Sequence, residues 1–184
     1  MPLHNTEIVD IFNEMGDLLE IEGANAFRVR AYRNAALTLA ALPQSLADMV
    51  ARGEDLTELP GIGEDLAGKI REIVRSGQLQ ALEDLHARMP PHLRELLRIP
   101  GLGPKRVRIL RDDFGIGSIP ELKTAAEKKL IRTHAGFGEK SEQKILAEIA
   151  RLQGAGTRVK WIVAEEIANS LVKYLRAQDG IRDV

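Results

Sequence analysis

Apolar residues recur every three or four positions along most of the chain, and this spacing predicts a series of amphipathic helices. The first helix is predicted to begin with Asn5 as its N-cap and to end at Gly23. Its apolar residues are Ile8, Ile11, Phe12, Met15, Leu18 and Leu19, with acidic residues between them. The sequence has no sustained alternation of apolar and polar residues, the pattern of a half-buried strand. We therefore predict an all-α fold.

Proline and glycine residues divide the rest of the chain into further predicted helices. A helix over residues 26–42 is stopped by Pro43, and one over residues 46–52 is closed by Gly53. The others cover roughly residues 64–75, 93–98, 105–114, 119–126, 140–152 and 158–176, with a short helix around Leu82. The last of them follows a flexible linker at residues 153–157 and has an apolar stripe without an obvious partner in the chain.

One motif occurs twice in full and once in weaker form, each time before a basic, helix-like stretch. The copies are Leu59-Pro60-Gly61-Ile62-Gly63, Ile99-Pro100-Gly101-Leu102-Gly103 and Ala135-Gly136-Phe137-Gly138. Two glycines around one apolar residue indicate a tight turn whose backbone can approach a ligand closely and then start a helix. Because amides at a helix N-terminus bind anions, a nucleic-acid phosphate is the natural candidate ligand.

The alternative is that these glycines serve only as turns between helices, since Gly-x-Gly by itself is a weak signal. The two complete copies favour phosphate binding, whereas the third lacks the proline and leaves both interpretations open. Lys105 and Lys140 each follow the second glycine by two residues, where an ammonium adds charge to the amide contacts. Asp65 occupies that position in the first copy and weakens its electrostatic case.

Composition mainly excludes classes of protein. The chain is 44% hydrophobic and 29% charged, which is ordinary for a globular protein, and without cysteine it has neither disulfides nor thiolate zinc sites. The N-terminus lacks a basic region followed by an apolar core, and no apolar run is long enough to cross a bilayer. We expect a cytoplasmic location.

The net charge of −1 hides a strong pattern along the chain. Residues 1–26 contain six acids and neither lysine nor arginine, whereas residues 98–111 contain Arg98, Lys105, Arg106, Arg108 and Arg111 without an acid. A single cluster of charged residues is usually a solvated face of the protein. Because the basic cluster at residues 98–111 coincides with the repeated motif, it favours an interface for nucleic acid.

These residues resemble the N-terminal part of the family X DNA polymerases, especially the bacterial and archaeal branch. The resemblance rests on FRVRAYRNAA at residues 27–36, the two complete motifs, and GFGEKSEQKIL at residues 136–146, and it extends over residues 5 to about 176. It implies a lyase-type domain over residues 1–80 with the first helix-hairpin-helix. A fingers-type domain over residues 81–153 would contain the other two, and residues 154–184 resemble the start of a polymerase palm.

The resemblance also implies binding residues. A basic residue and a tyrosine bind the 5′-phosphate of gapped DNA in the family, and they map to Arg28 and Tyr32. With the hairpins, the implied DNA-binding residues are Arg28, Tyr32, Gly61, Gly63, Gly101, Gly103, Lys105, Arg106, Gly136, Gly138 and Lys140. When DNA is bound, each of the first two hairpins would also hold one sodium or potassium ion through backbone carbonyls. These belong to Thr57, Leu59 and Ile62 at the first hairpin and to Leu97, Ile99 and Leu102 at the second.

Catalytic carboxylates of the polymerase palm have no counterpart in this sequence. Asp-x-Asp does not occur, so we expect neither a Mg²⁺ site nor polymerase activity from this chain alone. The four histidines are scattered, which also argues against a metal-dependent phosphoesterase domain. We expect no required cofactor.

Lys69 provides one catalytic hypothesis, because it matches the family lysine that forms a Schiff base with a 5′-deoxyribose phosphate. The amine must be neutral, which would require desolvation or nearby cations such as Arg28 and Arg71. Lys69 is also the one lysine among residues 1–104, beside nine arginines. The alternative is that it is a solvated helix residue, and Glu64 and Asp65 make the region more acidic than in animal repair polymerases.

Three functions follow in order of preference. The first is structure-selective, sequence-independent binding of gapped, nicked or 5′-phosphorylated DNA in base excision repair. The second is 5′-deoxyribose-phosphate lyase activity at Lys69. The third is a noncatalytic adaptor that binds a partner protein, or a second copy of itself, through the C-terminal helix.

Overall fold

The structure is a computed structural model that describes residues 4–154. Over that range the protein is built from helices and short 3-10 turns, with no strand, which confirms the all-α prediction. The helices are α1 (Asn5–Glu22), α2 (Ala26–Ala40), α3 (Leu46–Ala51), α4 (Glu64–Ser76), α5 (Gln80–Arg88), α6 (Pro91–Glu95), α7 (Pro104–Phe114), α8 (Ile119–Glu127) and α9, whose described part covers residues 139–154. The predicted C-terminal helix lies outside the described residues.

Short 3-10 turns precede each of the three glycine motifs. They are Leu56–Glu58, Leu96–Arg98 and Ile131–Thr133. The predicted helix over residues 93–98 is therefore two elements, because α6 ends at Glu95 and a 3-10 turn follows it directly. Each motif thus lies between a 3-10 turn and a longer helix.

The first helix begins one residue away from the predicted cap. His4 is its N-cap, and the His4 amide donates a hydrogen bond to the Glu7 carboxylate at 2.8 Å. Asn5 makes a tertiary connection instead: its side chain donates to the carbonyl oxygen of Gln44 at 2.8 Å and accepts from the amide of Leu46 at 2.9 Å. The prediction of Asn5 as N-cap was wrong because this contact is not local in sequence.

The chain divides into two compact units, residues 1–124 and residues 125–184. In the first unit, α1 packs along α2, and the rings of Phe12 and Tyr32 meet with centroids 5.6 Å apart. Helices α5 and α7 also pack on α1. This division differs from the domains assigned by resemblance, 1–80, 81–153 and 154–184, which stay a prediction.

The described part of the second unit contains the third glycine motif and α9. Its core is formed by Ile131, Phe137, Ile145 and Ile149, all of which are buried. Glu142 lies on the same face of α9 as Ile145 and Ile149 and is fully buried. A buried carboxylate requires a partner, which Arg132 provides.

Candidate nucleic-acid interface

All three glycine motifs form the same turn, here called the first, second and third hairpins. In each, the apolar residue between the glycines is buried and its amide donates a hydrogen bond to the carbonyl three residues earlier. The pairs are Ile62 to Leu59 at 3.0 Å, Leu102 to Ile99 at 2.9 Å and Phe137 to His134 at 3.0 Å. The first glycine of each has positive φ, namely 76° at Gly61, 95° at Gly101 and 95° at Gly136. These are features of a type II turn, which needs glycine at that position.

The third hairpin forms this turn without proline. Ala135 stands where the other copies have Pro60 and Pro100, yet Gly136 and Phe137 adopt the same arrangement. The sequence had left this copy undecided because proline presets the backbone before the glycine. The structure makes it geometrically equivalent to the other two.

The second glycine of each hairpin is not explained by backbone conformation or by packing. Gly63 and Gly103 have φ of −88° and −78°, values open to any residue, and both are helix N-caps. A Cβ added at Gly63, Gly103 or Gly138 would meet no protein atom within 4 Å. Glycine at these positions therefore leaves the turn open toward solvent, where a ligand can approach the backbone. At the first and third hairpins the following amides lack intrahelical acceptors and are available to an anion. At the second hairpin Pro104 has no N–H and the amide of Arg106 donates to the carbonyl of Gly103 at 2.9 Å, which leaves the amide of Lys105 for an anion.

Basic residues in the first turn of α7 strengthen the case at the second hairpin. Lys105 and Arg106 follow Pro104 at the start of this helix, where positive charge opposes the helix dipole. Their placement does not favour the helix and instead suits an anionic ligand. Lys140, in the first turn of α9, is exposed and similarly placed at the third hairpin.

Arg106 is tied to the second hairpin itself. Its guanidinium donates a hydrogen bond to the carbonyl oxygen of Gly101 at 2.8 Å. The side chain that was predicted to contact DNA therefore also braces the turn that presents the amides. Its positive charge stays beside those amides.

The first hairpin is more acidic and is held to α2. The hydroxyl of Thr38 donates to the carbonyl of Pro60 at 2.9 Å, which fixes the turn against that helix. Before the hairpin, Asp55 accepts hydrogen bonds from the hydroxyl and the amide of Thr57, and these bonds lower the pKa of Asp55. After it, Glu64 and Asp65 occupy the first turn of α4 and stabilise the helix but repel a phosphate.

Lys69 is mostly buried and paired. Its side chain is 16% exposed, and its ammonium forms an ion pair with the exposed carboxylate of Asp65 one turn earlier on α4. The lyase hypothesis requires that desolvation, or nearby cations such as Arg28 and Arg71, destabilise the ammonium. Among the described residues the partner of Lys69 is an anion, and a paired ammonium is not a nucleophile.

Arg28 and Tyr32 differ sharply in exposure although they lie one turn apart on α2. Arg28 is exposed, whereas Tyr32 is 2% exposed and packs on Phe12. The hydroxyl of Tyr32 is buried and has no hydrogen-bond partner within the described chain. The ring of Tyr32 is thus part of the core, while its hydroxyl stays unsatisfied within the described residues.

The third hairpin has a brace that the sequence analysis missed. The guanidinium of Arg132 donates to the buried Glu142 carboxylate at 2.7 Å, and the Arg132 amide donates to the other carboxylate oxygen at 3.2 Å. The hydrogen bond to Glu142 raises the pKa of Arg132. The sequence does contain a sign of this pair: Glu142 lies three residues before Ile145 and seven before Ile149, on the apolar face of the helix, where a charged residue needs a partner.

The carbonyls implied as cation ligands are partly occupied by the turns. The oxygens of Leu59 and Ile99 each accept the amide bond that closes the hairpin. A carbonyl oxygen has a second lone pair, so these groups are compatible with an additional cation. No cluster of three or more acidic or histidine side chains suited to a metal occurs among residues 4–154. Within the same range, no helix is long and apolar enough to span a bilayer.

Comparison with known proteins locates the hairpins within two families. Residues 3–79 match the helix-hairpin-helix domain family, and residues 93–151 match the SAM-like helix-hairpin-helix tandem family. The chain is also 32% identical over 173 residues to the DNA polymerase/3′-5′ exonuclease PolX of Bacillus subtilis (strain 168). The alignment covers 94% of this chain but only 30% of that relative. These matches confirm the predicted helix-hairpin-helix motifs and the resemblance, and they support DNA binding.

Proposed function

Because the chain contains the helix-hairpin-helix region of the family X DNA polymerases, we propose that it binds gapped or nicked DNA through backbone phosphates during DNA repair. Binding is independent of base sequence, since amides and ammonium groups at the hairpins contact phosphate rather than base edges. The relative's name includes polymerase and exonuclease activities. Neither is assigned to this chain, whose described residues offer no carboxylate cluster for metal ions.

The observation that supports this proposal is the open second glycine repeated in three equivalent turns. In each hairpin it precedes a helix with at least one first-turn amide that lacks an intrahelical acceptor, and in the second hairpin this is the amide of Lys105. The second hairpin combines this geometry with Lys105 and Arg106. It therefore offers two cations beside a turn with fewer free amides than the other two hairpins.

A cation at the hairpins would add to this binding. We propose that the carbonyls of Thr57, Leu59 and Ile62, and those of Leu97, Ile99 and Leu102, hold a sodium or potassium ion when DNA is bound. Such an ion neutralises phosphate charge, while the amides fix the position of the phosphate.

The proposal is tested by Gly103→Ala. This substitution meets no protein atom and needs no unusual φ, so it leaves the fold intact. The methyl group lies where a phosphate would approach, and we expect affinity for 5′-phosphorylated gapped DNA to fall about tenfold, the loss of one charge-assisted contact. Fluorescence anisotropy with labelled gapped and intact duplexes measures both affinity and preference.

Gly68→Ala is the matched control. Gly68 also has open space around its α-carbon, but it lies within α4, where alanine stabilises a helix by about 0.5–1 kcal/mol. It should bind DNA as the unsubstituted protein does. Equal affinities for Gly103→Ala and Gly68→Ala, or no preference of the unsubstituted protein for interrupted duplexes, would refute the proposal.

Lyase activity at Lys69 is a second candidate, favoured by two features of the first unit. Lys69 is mostly buried, and the hydroxyl of Tyr32 is buried without a partner. An unsatisfied buried hydroxyl is costly, and a phosphate oxygen would satisfy it after a neighbouring side chain moves aside. The Lys69 amine would add to the sugar aldehyde and lose water to give an imine; β-elimination then expels the DNA phosphate, and water restores the amine.

The adaptor hypothesis is the third candidate and stays a prediction. It places a partner protein, or a second copy of the chain, on the C-terminal helix predicted at residues 158–176. That segment lies outside the described residues. A measurement of molecular mass in solution, with and without DNA, tests it.

A further inference from the structure

A cleft of about 460 Å³ opens beside the second hairpin, within the unit formed by residues 1–124. It lies between the start of α2, the end of α1 and the first two turns of α7. Its lining consists of Glu20, Ala24, Ala26, Val29, Arg30, Arg33, Lys105 and Arg108. The volume is in the range of small-ligand sites, and the charged side chains of its lining are four cations and one carboxylate.

The four cations come from two helices in two matching pairs. Arg30 and Arg33 are three residues apart on α2, and Lys105 and Arg108 are three residues apart on α7. Residues at this spacing share one face of a helix. Each helix therefore presents a basic pair to the same cleft.

One of the four is already neutralised. Arg33 pairs with Asp17 at 3.1 Å and with Glu20, the carboxylate of the cleft lining, at 2.5 Å. Partial burial disfavours the charged guanidinium, but the hydrogen bonds to Glu20 and Asp17 raise the pKa of Arg33 overall. Arg33, Asp17 and Glu20 together contain one cation and two carboxylates, so this group offsets one of the other three positive charges of the cleft.

Arg30, Lys105 and Arg108 have no carboxylate partner among the described residues. Arg30 is nevertheless oriented, because its Nε donates to the carbonyl of Ala26 at 3.3 Å and its guanidinium lies 4.7 Å from the ring centre of Phe27. Three cations without a carboxylate partner of their own around one cleft repel each other, and a bound anion reduces that repulsion. The cleft is thus built for an anion rather than for an apolar ligand.

This cleft is separate from the residues implied for the 5′-phosphate. At 3.6 residues per turn, the Arg30–Arg33 pair lies about 150° around α2 from the Arg28–Tyr32 pair. The cleft instead adjoins Gly103 and Lys105 of the second hairpin. A ligand there would be near the phosphate held by that hairpin.

We propose that the cleft between α2 and α7 binds a second phosphate group through Arg30, Lys105 and Arg108. This inference rests on the proposed function, because its expected source is a phosphodiester of the DNA strand held by the second hairpin. A free oligophosphate compound has the same chemistry. The experiment separates the two sources.

The test uses the double variant Arg30→Gln/Arg108→Gln, which leaves every hairpin residue intact. The matched control is Arg52→Gln/Arg75→Gln, with the same loss of charge at exposed residues outside the cleft lining. Affinity for gapped DNA is measured by anisotropy between roughly 50 and 200 mM salt, a range in which counterion release changes the affinity strongly. Unfolding temperature is measured with and without sodium tripolyphosphate.

If the occupant is DNA, the cleft variant binds about tenfold more weakly at the lowest salt and its log–log salt slope becomes shallower by about 0.9, the value for one phosphate. The control keeps the original slope. If the occupant is a free compound, DNA binding is unchanged, but tripolyphosphate raises the unfolding temperature of the original protein and of the control and not of the cleft variant. Behaviour identical to the control in both assays overturns the proposal.

Failure of the proposed function gives a different pattern. In that case the unsubstituted protein shows no preference for gapped DNA and Gly103→Ala changes nothing, whereas tripolyphosphate still reports on the cleft. A cleft variant that matches the control while Gly103→Ala loses affinity leaves the proposed function intact and removes only the cleft.

Discussion

The mostly buried ammonium of Lys69 and the exposed carboxylate of Asp65 form an ion pair within α4, directly after the first hairpin. At this single position the binding and lyase hypotheses make different demands. For binding, Asp65 repels a phosphate that approaches the helix N-terminus. For catalysis, Asp65 engages Lys69 in an ion pair that must open before the amine can attack an aldehyde. Both hypotheses therefore identify Asp65 as the residue that restrains the first hairpin.

Asp65→Asn should relieve this restraint. We expect severalfold more borohydride-trapped adduct between the protein and a 5′-deoxyribose-phosphate substrate, and about threefold tighter binding of 5′-phosphorylated gapped DNA. Gel analysis of the trapped adduct and anisotropy measure the two effects. Lys69→Ala in the same background is the control and should form no adduct. An adduct that persists without Lys69 would place the nucleophile elsewhere, and none from Asp65→Asn would exclude the lyase.

At the scale of the elements, the third hairpin lacks the proline of the other two and is flanked by the ion pair of Arg132 and Glu142. Arg132 lies in the 3-10 turn before the hairpin, and its side chain pairs with two carboxylates of α9 after the hairpin. Of these, Glu142 is buried and Glu139 is exposed. The two carboxylates therefore share one partner in different surroundings. A buried charge-assisted hydrogen bond contributes much more than an exposed ion pair.

Glu142→Gln should lower the free energy of unfolding by about 2 kcal/mol, the cost of removing a charged partner from a buried hydrogen-bonded pair. Glu139→Gln, which changes the same charge at a carboxylate 63% exposed, should cost less than about 0.5 kcal/mol. Urea denaturation followed by circular dichroism gives both values. Equal losses would mean that Glu142 does not brace the hairpin.

The elements that could be predicted from sequence are those governed by local rules. The helical spacing of apolar residues predicted α1 and α4. The glycines of the first two motifs predicted the turns, because Gly61 and Gly101 can adopt the positive φ that such turns require. The end of α2 was predicted two residues too late, because Pro43 marks only the latest position at which a helix can continue.

Features set by distant residues could not be predicted in this way. Asn5 bonds to Gln44 and Leu46 rather than to its own helix. The cleft joins Arg30 to Arg108, which are far apart in sequence and meet only after α2 and α7 are placed on α1. The pairing of Lys69 is an intermediate case, since Asp65 lies at helical spacing and its influence was noted without the ion pair.

At the scale of the whole molecule, the charge distribution limits how DNA can bind. The chain has a net charge of −1, and residues 1–26 contain six acids, so a broad electrostatic attraction to duplex DNA is not available. Under the proposed function, affinity would instead come from a few phosphates bound at defined points, chiefly the hairpins and the cleft. The number of those points is measurable, because each neutralised phosphate releases condensed counterions.

The second and third hairpins, whose lysines each neutralise one phosphate, predict a log–log salt slope of about −1.8, and the cleft extends it to about −2.7. Anisotropy titrations on gapped DNA at several salt concentrations give this slope, and Lys105→Gln should make it shallower by about 0.9. A slope steeper than about −6 would require many more contacts than the hairpins and the cleft provide. DNA would then lie along a continuous basic surface, which the alternation of acidic and basic segments in this chain argues against.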